Sequence, residues 1–128
     1  MNGTVYQELL SFLNQESLME RFRKYMDKEI NPENLKDTER INCLGISCTY
    51  LPDPPEDFDE FEFSMDFNEQ ENIVITVAIE SGKIKRVMFS VADKENPYEI
   101  RSLTPSQIEE LLLNKGDQLV QFFEFITI

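Results

Sequence analysis

The feature that most constrains the fold is a run in which apolar residues alternate with polar ones, "EFEFSMDF" at 60–67. A period of two places successive side chains on opposite faces of a β-strand, whereas a helix repeats about every 3.6 residues. One face of this strand carries Phe61, Phe63, Met65 and Phe67, and the other carries Glu60, Glu62, Ser64 and Asp66. The pattern predicts a sheet with one buried face and one face turned towards water.

The two segments that follow, "IVITVAIE" and "SGKIKRVMFSV", predict two more strands of the same sheet. Their large apolar residues lie at odd positions, namely Ile73, Ile75, Val77 and Ile79, then Val87, Phe89 and Val91. Directly opposed residues share a face, so odd positions oppose odd positions only across a loop of odd length. We therefore expect a three-residue loop, Glu80-Ser81-Gly82, in which Gly82 adopts the left-handed conformation.

The even positions of these strands are also partly apolar, with Val74, Ala78, Ile84 and Met88. A face of this composition is too apolar to be fully hydrated. We expect the last helix, the end of the chain or a partner to cover part of it.

Capping boxes begin two stretches of helical spacing ahead of the strands. Thr4 with Gln7 opens the first stretch, and Ser17 with Glu20 opens the second. They predict two helices or one bent helix, ended by "INP" at 30–32 because the residue before a proline avoids helical backbone. Residues 31–40 are expected to form a loop with at most a short helical turn, and "INCLGISCTYL" at 41–51 to form the first strand.

After the strands, "NPYEIRSL" at 96–103 suits either an edge strand or a loop. Thr104 as cap, Pro105 at the first position and Gln107 at the third then predict the start of a helix. Lys115 and Gly116 are typical of a helix end. We expect a further helix over "DQLVQFFEFITI" at 117–128, although its last four residues also suit a strand.

The order of helices, a meander of strands and more helices predicts an α+β fold. We expect a mostly antiparallel sheet of about four strands, at about 41–91, with N-terminal and C-terminal helices packed on one face. A length of 128 residues, of which 41% are hydrophobic, suits a single domain over 1–128 with one core.

The two cysteines, Cys43 and Cys48, are placed on opposite faces of the first predicted strand, so they cannot easily bridge each other. We expect both to be reduced. The N-terminus "MNGTVYQELL" lacks the pattern of a signal peptide, and no window of about 18 apolar residues occurs. These features predict a soluble, cytoplasmic protein.

Most catalytic chemistry is disfavoured by composition. The chain contains no histidine, which removes the commonest general base and the commonest zinc ligand. Its four glycines are scattered, so no phosphate-binding loop is present. Carboxylate chemistry remains, but "DFDEFE" lacks the glycine and the final glutamate of a calcium loop. We expect a non-enzymatic protein with no catalytic residues, no metal and no cofactor.

Charge is the one functional signal above background. The chain has 25 acidic and 12 basic residues, a net charge of −13, which repels nucleic acid and anionic membranes. No lysine or arginine lies between Arg40 and Lys83, where ten acidic residues occur. We expect a protein partner with a basic surface, no direct nucleic-acid binding and no membrane binding.

Nine of those ten acids are the candidate partner-binding residues: Asp53, Glu56, Asp57, Asp59, Glu60, Glu62, Asp66, Glu69 and Glu71. Asp53, Glu56 and Asp57 belong to the proline-rich loop "LPDPPED" at 51–57, where no strand alternation accounts for them. The others also have a plain structural reading, because a half-exposed strand needs a polar face and acids protect a sheet edge from aggregation.

These patterns lead to one main hypothesis. The chain is interpreted as an inhibitor or neutralising partner of a basic nucleic-acid-binding protein, acting through its acidic face by nucleic-acid mimicry. Phage anti-defence proteins and toxin-neutralising immunity proteins serve as an analogy of type only. The alternatives are a carboxylate-based metal-dependent enzyme and an acidic accessory domain whose charge serves solubility. "RFRK" at 21–24 and "KIKR" at 83–86 could pair with the acids of a second copy, which leaves a homodimer open.

Overall fold

The computed structural model describes residues 20–50 and 58–128. The helix predicted to start at Thr4, the capping box at Ser17 and the proline-rich loop at 51–57 lie outside the described residues. The strand end predicted at Leu51 lies there too.

The centre of the fold is an antiparallel meander in which each strand pairs with the next along the chain. The strands are β1 (Ile46–Tyr50), β2 (Phe58–Asp66), β3 (Glu71–Glu80), β4 (Lys83–Asp93) and β5 (Ile100–Arg101). The predicted α+β fold with a mostly antiparallel sheet is confirmed. The sheet has five strands rather than about four, because "NPYEIRSL" supplies a two-residue strand at the edge.

The α-helices with both ends in the described ranges are α1 (Pro32–Leu35), α2 (Thr38–Cys43) and α3 (Pro105–Ile126). The predicted start of α3 is confirmed, since the backbone N–H of Gln107 donates to Thr104 Oγ1 at 3.2 Å. In return the backbone N–H of Thr104 donates to Gln107 Oε1 at 2.9 Å. Among the described residues, no helix is long and apolar enough to cross a membrane.

The predicted helix end at Gly116 is wrong, because α3 runs through it for 22 residues. The buried side of the helix continues in phase on both sides of the glycine, with Leu111 before it and Leu119 and Phe122 after it. One internal glycine costs about 1 kcal/mol of helix propensity. Burying a single large apolar side chain returns more than that, so packing decides the outcome.

The last helix covers the side of the sheet that carries the odd-numbered residues, which we call the inner face. Phe63 of β2 meets Phe122 of α3 with ring centroids 4.8 Å apart, and Phe89 of β4 lies 6.4 Å from Phe123. All four rings are fully buried. The prediction that the C-terminal helix packs on this face is confirmed, whereas the predicted N-terminal helices lie mostly outside the described residues.

The predicted three-residue loop between β3 and β4 is wrong. The turn is Ser81-Gly82, with φ of 52° and 76°, and Glu80 pairs with Lys83. The register then shifts by one residue, because Ile79 pairs with Ile84 but Ala78 pairs with Arg86. This bulge restores the parity that an odd loop would have supplied. The two-residue turn itself sets Ile84, expected on the even face, opposite Ile79 and in the core, where it is 0% exposed.

Residues 41–45 were expected to begin the first strand, but the strand begins only at Ile46. Helix α2 continues to Cys43, capped by Asp37, whose carboxylate accepts from the backbone N–H of Arg40 at 3.1 Å. Gly45 ends it with φ of 79°. Cys43 is therefore exposed at a helix end and Cys48 is half-buried in β1, so the two do not share a strand.

The segment before α1 also differs from the prediction of a helix ended by "INP". Helix gives way to a 3-10 turn at Arg23–Tyr25, and Asp27 follows with a left-handed φ of 62°. Glu29 forms a bridge with Lys83 of β4, and Ile30 forms one with Thr127 beyond α3. Pro32 then starts α1 instead of following a helix, as proline favours the first helical position.

Candidate functional site

The candidate site lies on the side of the sheet opposite α3, which we call the outer face. The strand register sets its side chains in rows that cross β2, β3 and β4. The rows are Glu60–Ala78–Arg86, Glu62–Thr76–Met88, Ser64–Val74–Ser90 and Asp66–Asn72–Ala92. Three of the predicted partner-binding acids therefore share this face, all from β2.

The first row contains an ion pair that spans three strands. Glu60 Oε1 lies 2.7 Å from Arg86 Nη2, although β2 and β4 are separated by β3. Adjacent strands are about 4.8 Å apart, so the pair must extend over the residue between them. That residue is Ala78, which is only 2% exposed. A small side chain at this position leaves room for the two long ones to meet above it.

A second ion pair lies at the opposite end of β2, between the Asp66 carboxylate and Lys94 Nζ. The hydrogen bond from Lys94 holds the pKa of Asp66 below its usual range. The lysine is fixed by its own backbone, because its N–H donates to the carbonyl of Gln70 at 2.8 Å. The basic residues that form ion pairs with Glu60 and Asp66 thus come from β4 and from the residue just after it.

Glu62 differs from its two neighbours on β2. Its row continues through Thr76 to the apolar Met88 of β4, whereas the row of Glu60 ends in Arg86. Among the described residues, Glu62 has no ion pair. Two of the three carboxylates of the outer face are therefore neutralised within the chain, and the middle one is not.

A cavity of about 310 Å³ opens on the outer face beside Glu62. Its floor consists of short side chains of the central strands, Ser64, Val74 and Ala92, and Tyr98 and Ile100 line it from the side of β5. The depression exists because these floor residues are smaller than those around them. Tyr98 is 92% exposed and Ile100 is 50% exposed, so two large side chains of this wall face solvent.

Glu69 lies at one end of the sheet, apart from the carboxylates of β2. It is exposed in the turn between β2 and β3 and lines a cavity of about 320 Å³ together with Asp93 and Glu95, and with Lys94, the partner of Asp66. We call Glu69, Asp93 and Glu95 the acidic end. Within the residues that the structure describes, none of these three has an ion pair.

Glu71 points to the other side of the sheet. Its Oε2 lies 2.6 Å from Arg101 Nη2, and its Oε1 accepts from Asn68 Nδ2 at 3.1 Å. Gln107 Nε2, in the first turn of α3, lies 3.5 Å from the same oxygen. The side chain is only 17% exposed. This carboxylate therefore joins a turn, an edge strand and a helix start, which is a structural role.

The remaining predicted residues divide in two. Asp53, Glu56 and Asp57 lie outside the described residues, and of Asp59 only the backbone is described, in β2 opposite Ile79. Sequence reasoning missed Arg86, Lys94 and Arg101 as the neutralising residues. The predicted three-residue loop already placed Arg86 on the even face, but opposite Thr76 and so in the row of Glu62. Only the bulge sets it opposite Ala78, in the row of Glu60.

The arrangement is suited to binding charged or amphipathic groups. In residues 20–50 and 58–128, no three acidic or cysteine side chains are grouped so as to hold a metal ion. Comparisons with family models, with curated proteins and with solved structures find no match. The function must therefore be argued from the outer face and the acidic end themselves.

Proposed function

We propose that this protein is a non-enzymatic, cytoplasmic binding protein that docks on the basic surface of a nucleic-acid-binding protein and inhibits or neutralises it. The observation that supports this is the unpaired acid that remains after internal pairing. With 25 acidic and 12 basic residues, at least 13 acids lack a basic partner of their own when each basic residue pairs with one acid. Glu62 and the acidic end are described examples on the sheet, and Asp93 lines the cavities of both.

Such a surface favours a basic partner by two physical effects. An excess of one charge attracts the opposite charge over distance and raises the rate of encounter. It also competes with nucleic acid, because both present negative charge to the same groove. The acidic end presents its carboxylates from the turn between β2 and β3 and from the end of β4.

The test is capture of proteins from an extract of the source cells at low and moderate salt. We expect a basic nucleic-acid-binding protein to be retained, and added nucleic acid to compete with it. A variant with Glu69→Gln, Asp93→Asn and Glu95→Gln should lose it. Asparagine at 93 keeps the acceptor that Asp93 Oδ1 offers to the N–H of Glu95 at 2.8 Å, so the loop should stay folded.

A matched control carries the same change of charge elsewhere. Glu109→Gln, Glu110→Gln and Asp117→Asn neutralise three exposed acids of α3. If this control loses the partner as fully as the acidic-end variant, only total charge matters and the accessory role in solubility is favoured. If nothing basic is retained at moderate salt, the proposal is wrong. Calorimetry with Mg²⁺, Mn²⁺ and Ca²⁺ tests the alternative of a metal-dependent enzyme.

A further inference from the structure

Two of the three outer-face carboxylates of β2 have an ion pair, and Glu62 has none among the described residues. Glu60 and Asp66 each reach a basic residue that lies across the sheet, Arg86 and Lys94. Glu62 lies between them on the same strand and faces Thr76 and then Met88. Neither its row nor the residue just after β4 supplies a cation to Glu62, so its ion pair is left incomplete within the described residues. A cation supplied from outside the chain would complete it.

The cavity beside Glu62 suits a side chain that is apolar along its length and cationic at its end. Val74 and Ala92 on the floor offer apolar contact for a hydrocarbon stem, and Ser64 adds a hydroxyl. Glu62 lines the same cavity and supplies the charge for the end group. An anionic ligand is disfavoured, because Asp93 also lines the cavity.

The wall of the cavity adds a preference between the two basic side chains. Tyr98 lines it and is 92% exposed, an unusual position for a large aromatic ring with no role in the core. A planar guanidinium stacks on aromatic faces and pairs with a carboxylate through two parallel hydrogen bonds. Tyrosine and arginine are also the residue types that most often dominate binding energy at protein interfaces.

We propose that the outer-face cavity receives an arginine side chain of the basic partner, with Glu62 as its ion pair and Tyr98 as its stacking surface. This inference rests on the proposed function for the identity of the partner. It adds a specific insertion point to what long-range charge alone would give. The acidic end then provides attraction at a distance, and the cavity beside Glu62 provides the close contact.

The cavity can be tested without the partner, by NMR titration with N-acetyl-arginine-N-methylamide. We expect amide shifts to concentrate at Ser64, Val74, Ala92 and Tyr98, with weak affinity. The citrulline analogue has nearly the same shape and no charge, and it should bind at least about fivefold more weakly, the size of an exposed ion pair of about 1 kcal/mol. Glu62→Gln should cause a similar loss.

Two further variants test whether binding of the arginine probe depends on the residues of the cavity. Tyr98→Ala changes an almost fully exposed side chain, so it should fold normally and still weaken the arginine probe several-fold. Glu110→Gln removes one exposed acid of α3 and should leave the probe's affinity nearly unchanged. Shifts spread over many acidic residues, or equal binding by Glu62→Gln and wild type, would overturn the cavity as an arginine site.

The two proposals can fail separately. If the captured partner is retained equally by wild type, Glu62→Gln and Tyr98→Ala, the cavity proposal is wrong while the basic-partner proposal stands. If no basic partner is captured but the arginine probe binds at the cavity, the proposed function fails and the site remains. Sedimentation of the free protein provides the last outcome: a dimer broken by Glu62→Gln would make a second copy the occupant and overturn the partner assignment.

Discussion

The two faces of the sheet are built on different rules. On the inner face, residues such as Phe63, Ile75 and Phe89 are fully buried against α3, and each can be recognised from its own position in the alternation. On the outer face, the environment of Glu60 or Glu62 depends on a residue two strands away. Burial is thus encoded locally, whereas charge pairing is encoded by register.

This difference has a functional consequence. A carboxylate run that looks uniform in sequence becomes unequal in the fold, because the sheet brings Arg86 and Lys94 beside two of its members. The acid that stays unpaired is the one whose row ends in Met88. A search for binding residues in acidic strands should therefore start from the rows and not from the density of acids.

The largest expected effect compares neighbouring residues of β3 that face opposite ways. Ile75→Ala removes a fully buried side chain and should lower the free energy of unfolding by about 3–4 kcal/mol. Val74→Ala, on the half-buried outer face, should cost about 1 kcal/mol or less. Urea unfolding measures both values. Equal losses would show that the outer face is part of the core and would remove the distinction between the two faces.

The next effect concerns the junction where α3 meets the start of β1. Gly45 has φ of +79°, and an added Cβ would lie 2.4 Å from Gln118 Nε2. That amide donates to the carbonyl of Leu44 at 2.6 Å, so Gly45→Ala should break the bond as well as strain the backbone. We expect a loss of about 2–3 kcal/mol of stability.

Gly82→Ala is the matched control for that junction. Gly82 has nearly the same φ of +76°, but an added Cβ there meets nothing within 4 Å. Only the backbone cost of about 1–2 kcal/mol should remain, measured by the same urea unfolding. If Gly82→Ala costs as much as Gly45→Ala, the contact with Gln118 contributes nothing to joining α3 to the sheet.

A smaller effect depends on pH and probes the margin of the inner face. Burial raises the pKa of Tyr25, and the hydrogen bond from its hydroxyl to Glu124 Oε1, at 2.7 Å, holds the pKa of Glu124 below its usual range. The stability from Tyr25 is complete below its unfolded pKa of about 10 and is lost as the pH rises above it. That from Glu124 is present above its unfolded pKa and is lost as the pH falls through the folded one.

Tyr25→Phe should therefore flatten the stability profile at both ends of the pH range. The measurement is the midpoint of urea unfolding across acidic, neutral and alkaline buffers. Phenylalanine keeps the ring that stacks on Phe123 with centroids 5.3 Å apart, so the core should be retained. An alkaline fall of the same steepness in the variant would rule out Tyr25 as its cause.

The smallest expected effect tests the ion pair that crosses Ala78. A double-mutant cycle on Glu60→Gln and Arg86→Gln should give a coupling of about 0.2–1 kcal/mol, because both side chains are about half exposed. The same cycle on Glu62→Gln and Arg86→Gln serves as control and should give no coupling. Coupling between Glu62 and Arg86 would mean that Arg86 serves both rows and that Glu62 is not left unpaired.

The sequence was sufficient where a single strong pattern acted. The alternation at 60–67 located the buried side of β2, and the cap at Thr104 located the start of α3. It failed where two local preferences competed. Gly116 has the weak helix propensity that suggested an end, but burial on both sides of it carries the helix through. Parity was correctly required between β3 and β4, yet a bulge supplied it instead of the loop.

The prediction for residues 41–45 was wrong for a related reason, because "INCLG" contains too few residues to distinguish a short capped helix from a strand. The candidate site was recoverable only in part. Strand parity correctly grouped Glu60, Glu62 and Asp66 on one face. The cations that neutralise two of them, and the tyrosine beside the third, follow from strand register and from a loop position that a sequence pattern does not encode.

The order of the strands along the chain has a consequence for biosynthesis. Because each strand pairs with its predecessor, strands β1 to β5 can pair with one another without α3, which follows them along the chain. At roughly 5–20 residues per second, the 22 residues of α3 take about one to several seconds to follow. During that interval Phe63 and Phe89 have no helix above them. A nascent chain stalled before Pro105 should therefore depend on chaperones, and completion of this one helix ends the dependence.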